Sequence, residues 1–165
     1  MILNVDPLNL FPLNVILSGD GFDGLLWYQC ANWAQNLNHG GAIGSTRIID
    51  GNTVFPRVSL SQSQSGGSDY IKIFGYHSGS VDWSSFNIVL TQDASLSFAR
   101  ATMALAVGSA LDDISTKPND SAFSSSVGPV TCDLGDSFAL WIRRTLTGGT
   151  DHGQYVNTVI QLQSV

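Results

Sequence analysis

Two acidic stretches are the first places where chemistry could sit. SGDGFDG, residues 18–24, sets Asp20 and Asp23 among three glycines. A calcium loop needs several oxygen ligands at defined spacing, usually closed by a bidentate Glu. The chain has no Glu anywhere, so this stretch reads as a turn. LDDISTKPND brings Asp112, Asp113 and Asp120 close in sequence. Adjacent strand side chains point apart, so these read as a solvated loop. His39, His77 and His152 are scattered without ligand spacing, and turn positions near glycine account for them. Cys30 and Cys132 are the only cysteines, with no CxxC or Cys/His pattern for zinc, and are expected as two unpaired, buried thiols. No GxSxG elbow occurs. The order of the aspartates singles out no pair of carboxylates for glycoside hydrolysis. The expectation is a protein that is not an enzyme and that uses no metal and no cofactor.

Binding chemistry is better represented. Four tryptophans and four tyrosines stand in a chain of 165 residues. Within DYIKIFGYH, residues 69–77, strand alternation puts Tyr70, Lys72, Phe74 and Tyr76 on one face and Ile71, Ile73 and Gly75 on the other. Tyr70, Phe74 and Tyr76 are therefore a candidate glycan platform. Core or subunit packing is the commoner use of such rings.

The elements that must position these residues are strands. Charged residues make up 12% of the chain, all 13 acidic residues are Asp, and Lys occurs only at 72 and 117. Helix surfaces are normally filled with Glu and Lys, whereas Ser, Thr, Asn and Gly favour strands and turns. The net charge of −6 argues against nucleic acid as a partner. No apolar run is long enough for a membrane helix, and residues 1–17 lack the pattern of a signal peptide. That first stretch, MILNVDPLNLFPLNVIL, is apolar without a clean period and holds two prolines. It reads as an extended arm or a first strand, with Leu3, Leu8, Leu10, Phe11 and Leu13 available to contact a neighbour. Residues 24–41 fit either a helix with Leu25, Leu26, Trp33 and Leu37 on one stripe, or a strand turning at Ala31-Asn32. Strands are expected over 53–62, 69–77 and 84–92, and favoured over 93–107. Further strands are expected near AFSSSV, in SFALWIRR and in the closing QYVNTVIQLQSV. Residues 18–165 are thus expected to form one β-sandwich, a jelly roll first and an immunoglobulin-like sandwich second.

DLGDSFALWIRR, residues 133–144, poses a problem of faces. Phe138, Leu140 and Ile142 alternate with Ala139, Trp141 and Arg143, so neither side is plainly the wet one. With the first set facing the core, a bare outward Trp invites association, and Trp and Arg are common interface anchors. Trp141 and Arg143 are accordingly expected at a subunit contact.

The segment VTCDLGDSFALWIRRTLTGGTDHGQYVNTVIQLQSV resembles the end of trimeric jelly rolls of the complement and tumour-necrosis-factor type. A strand runs into Gly-Asp, a second strand follows, then a loop and a closing strand. The short, Glu-free, Ser/Asn/Gly-rich chain also resembles small tailed-phage virion proteins. That resemblance implies a homotrimeric capsid cement or decoration protein, assembled in the host cytoplasm, located in the virion and bound to capsid protein or other virion proteins. It also admits a tail-fibre or tail-tip protein that recognises a host glycan. A secreted carbohydrate-active domain is a third reading.

Overall fold

The computed structural model describes residues 22–33, 39–48, 54–55, 59–92, 101–149 and 158–165. The expected arm, with Leu3, Leu8, Leu10, Phe11 and Leu13, lies outside the described residues, as do Asp20, Leu37 and His152.

Among the described residues eight strands form in chain order: β1 (Leu25–Cys30), β2 (Ile43–Ile48), β3 (Gly67–His77), β4 (Phe86–Gln92), β5 (Ala101–Gly108), β6 (Ser126–Val130), β7 (Ser137–Leu146) and β8 (Thr158–Ser164). They build an antiparallel five-stranded sheet, in order β2-β1-β3-β7-β5, and an antiparallel three-stranded sheet, in order β6-β4-β8. From β3 onward, successive strands alternate between the two sheets. The all-β sandwich expected from composition is the observed architecture.

Period-two patterning fixes which residues enter the core. Ile71 and Ile73 of β3, Phe86, Ile88 and Leu90 of β4, Met103 and Leu105 of β5, Phe138, Leu140 and Ile142 of β7, and Ile160 and Leu162 of β8 share one buried cluster between the sheets. The faces of β3 and β7 are those expected from alternation. Gly75 is required by this packing. It stands opposite Phe138 in the register, and a Cβ there would lie 2.2 Å from the Phe138 ring.

One open reading is decided and one expectation changes. Residues 25–30 are a strand, the second of the two readings, because both of their faces are covered: Trp27 enters the main core and Cys30 packs with Phe74 and Ala139 on the opposite side. The strand expected over 53–62 does not run to its end, since Leu60–Ser65 is a short helix, α1. Its cause is local. The Ser59 hydroxyl accepts from the Gln62 N–H at 3.2 Å, and the Ser59 N–H donates to Gln62 Oε1 at 3.0 Å. This reciprocal capping box satisfies two donors that a helix start leaves open.

Candidate functional site

The residues put forward for binding converge on the outer face of the five-stranded sheet. The register sets Tyr70 opposite Arg143, Lys72 opposite Trp141, and Phe74 opposite Ala139. Two segments of the same chain lie over this face, one after β1 and one between β5 and β6.

Trp141 is on the outer side, as alternation requires, but it is not a subunit contact. It is 0% exposed within the single chain. The segment after β5 folds over it: the indole Nε1 donates to Asp112 Oδ2 at 3.1 Å, and the ring packs with Ala106 and Phe123. Gly108 makes room, since a Cβ there would lie 2.5 Å from the indole. Burying such a ring contributes about 1.5–3 kcal/mol. A side chain with no accessible surface offers nothing to a neighbour, so the expectation for Trp141 is corrected. Arg143 stays partly exposed. Its Nη1 donates to the Asp120 carbonyl at 3.1 Å, and its guanidinium lies 5.1 Å from the Phe123 ring centre.

The glycan platform is also corrected. Phe74 is 1% exposed, packed beneath Tyr28 and Trp33, and so presents no ring face to a sugar. Tyr70 is engaged by the covering segment, donating its hydroxyl to Asp120 Oδ1 at 2.7 Å and packing edge-on against Phe123. Tyr76 remains partly exposed and meets Tyr28 edge-to-face at 6.1 Å. Arg47, opposite Tyr28 across β1 and β2, is exposed beside this pair.

Lys72 joins the two covering segments. It is fully buried, and its Nζ donates to the carbonyls of Gly41 at 2.8 Å, Asp112 at 3.0 Å and Ala110 at 3.2 Å. The ammonium also lies 5.0 Å from the Phe74 ring centre and 6.0 Å from that of Trp141. Burial pulls its pKa down, while the negative charge of Asp112 acts the other way. Backbone pairing completes the junction, with the Gly41 N–H donating to the Asp112 carbonyl at 2.7 Å. The aspartates here are structural. Asp112 receives the N–H groups of Ser109 and Trp141, and Asp113 Oδ1 receives the backbone and hydroxyl groups of Ser115 and Thr116. The Ser115 hydroxyl foremost holds the Asp113 carboxyl below its ordinary pKa. Among the described residues no group of three or more His, Cys, Asp or Glu side chains could hold a metal ion.

His39 and His77 are more than turn positions near glycine, and His77 ends a strand. Both are buried. His39 Nδ1 lies 3.9 Å from Cys30 Sγ, which also accepts the Gly40 N–H at 3.4 Å. A catalytic thiol needs a lowered pKa, whereas burial pushes Cys30 upward. The expected state of the cysteines is observed: both are free and buried, in different clusters.

Cys132 gives a testable alkaline behaviour. Burial foremost pushes its thiol up to about 11 from 9.0. Between those values the unfolded chain loses its thiol proton before the folded chain does. The contribution is therefore complete below pH 9.0 and is lost as pH rises through about 11. The loss is at most about 3 kcal/mol. Tyr70, also pushed up by burial, acts in the same direction, and Lys72, pushed down, acts oppositely. Urea unfolding at several pH values should therefore show a flatter alkaline decline for Cys132→Ala than for the parent. Equal slopes would contradict the assignment.

A buried ion pair lies at the core side of the same sheet. Asp69 and Arg144 are direct cross-strand partners on β3 and β7. Arg144 Nε donates to Asp69 Oδ2 at 3.1 Å and Nη2 to the same oxygen, while Gln62 Nε2 donates to Asp69 Oδ1 at 2.8 Å. The guanidinium lies 4.6 Å from the Phe55 ring centre. Among the described residues no helix is long and apolar enough to cross a membrane. No family model matches this chain, and no curated protein or solved structure matches it significantly.

Proposed function

We propose that this chain is a structural virion protein of the capsid cement or decoration type, acting through contact. The observation that carries the reading is the use made of its buried reactive groups. Lys72 ties two covering segments to a sheet, and Asp69 with Arg144 ties β3 to β7 and, through Gln62, to α1. Such ties suit a plate that must keep its shape under load. The Glu-free, Ser/Asn/Gly-rich composition supports the same reading. In this role the sandwich bridges neighbouring capsid subunits, and added interface area stabilises the shell by mass action. With Trp141 inside the fold, homotrimer contacts fall to other surface residues, Arg143 among them.

The test is to purify particles with and without the protein and to locate it by labelled imaging. The expected result is a regular array on the shell and a higher temperature of genome release when it is present. Absence from particles would refute the proposal. Location at the tail tip would favour the receptor-binding reading instead, for which the partly exposed Tyr28–Tyr76 pair beside Arg47 is the relevant surface.

A further inference from the structure

His77 ends β3 in a fully buried position. Its ring faces two carbonyl oxygens at once, with Nδ1 3.2 Å from the Cys132 oxygen and Nε2 3.0 Å from the Val81 oxygen. Carbonyl oxygens only accept. A neutral imidazole has one N–H, so it can satisfy one of these contacts and sets a lone pair against the other oxygen. An imidazolium has two N–H groups and satisfies both. The ring also lies flat on Trp83, with centres 3.8 Å apart and planes 14° apart, an arrangement that favours a cation over an aromatic face. Trp83 is itself fixed by its Nε1 donating to the Asp23 carbonyl at 3.1 Å.

We propose that His77 is a proton-dependent latch between two loops at one end of the sandwich, the segment 78–83 and the turn 131–136. Protonated, it holds both loops. Neutral, its ring holds only one of them, while the turn 131–136 keeps the backbone pairs of the His77 N–H with the Asp136 carbonyl at 3.0 Å and of the Gly135 N–H with the His77 carbonyl at 2.9 Å. The charged and titratable groups on the elements packed around it are Asp23 before β1, Asp82 in the first loop, and Cys132, Asp133 and Asp136 in the second. The four aspartates are exposed. The Cys132 thiol stays neutral well above the range where histidine titrates. The latch has a readable consequence, because each loop presents an exposed apolar side chain, Val81 at 65% and Leu134 at 51% exposure. Their relative placement, and so any contact made through both, follows the state of His77. This inference is independent of the virion reading.

Hydrogen–deuterium exchange of segments 78–83 and 131–136, corrected for intrinsic rates, tests it at pH about 5.5 and about 8.5, either side of the ordinary histidine range. Protection of at least one segment should fall about tenfold or more at the higher pH. His77→Phe keeps an aromatic ring against Trp83 and removes both donors, so it should show the lower protection at both pH values. A parent protein with equal protection at the two pH values overturns the proposal. So does a His77→Phe variant that keeps the pH response, since the aspartates would then be responsible. If His77→Phe fails to fold, nitrogen NMR of the parent ring decides. Two N–H groups at pH about 5.5 and one at about 8.5 support the latch, and any other pattern refutes it.

Discussion

Replacing Asp69 by alanine destabilises the fold by about 3–5 kcal/mol, the cost of taking the carboxylate away from a buried guanidinium. The argument rests on Arg144, which is 0% exposed and loses two donor contacts to one carboxylate oxygen. Burial already pulls its pKa down, which reports that the interior disfavours the cation, and Asp69 opposes this. The Phe55 ring at 4.6 Å gives the guanidinium an apolar neighbour that cannot replace a carboxylate. Asp69→Ala also frees the Gln62 amide and so loosens α1 against β3. Removing both charges is a different experiment. Asp69→Leu with Arg144→Met exchanges the pair for apolar volume, and such exchanges are often neutral or stabilising. Urea denaturation should therefore place the single variant far below the parent and the double variant near it. A single variant within about 1 kcal/mol of the parent would show that the pair contributes no more than a surface ion pair.

The contrast between what sequence showed and what it hid follows from the range of the interactions. Phe138, Leu140 and Ile142 were legible as core because alternation is a property of one strand. So were both faces of β3. The cover over Trp141 was not legible, because it comes from Asp112 and Phe123, far from β7 in the chain and carried by a polar segment without a pattern. The burial of Lys72 and Arg144 was not legible either. A lysine is buried only when acceptors from distant segments meet at its nitrogen, and sequence spacing does not reveal that Gly41, Ala110 and Asp112 do so. The helix at Leu60–Ser65 could have been found. Ser59 and Gln62 have the spacing of a capping box, a local signal, but the Val-rich residues before them drew the reading toward a strand. Gly75 and Gly108 had no meaning until Phe138 and Trp141 were placed across from them.

Lys72→Met should leave the sandwich folded while releasing the segments that cover its outer face. Two effects compete. Methionine removes a buried charge that the interior disfavours, as the lowered pKa of Lys72 reports, and its chain can still fill the space between Phe74 and Trp141. Against this, three carbonyls lose a charged donor, each contact being worth about 1.5–3 kcal/mol. Water can reach part of that deficit, since Ala110 is exposed. The global balance is therefore small, within about 1.5 kcal/mol by urea denaturation. The local balance is not. The opening of the 39–42 and 109–113 segments should become easier by about 3 kcal/mol, or about a hundredfold. Exchange of the Gly41 amide reads this directly, because its N–H is held by the Asp112 carbonyl within the junction. The Ser124 amide, paired with the Leu105 carbonyl at 2.8 Å, is the control, for it lies on the same covering segment but outside the Lys72 contacts. Fast exchange at Gly41 with slow exchange at Ser124 is the expected pattern. Unchanged exchange at both would mean that Asp112, through Trp141, holds the cover without help from Lys72. Fast exchange at both, with a large fall in global stability, would make Lys72 a support of the whole sheet.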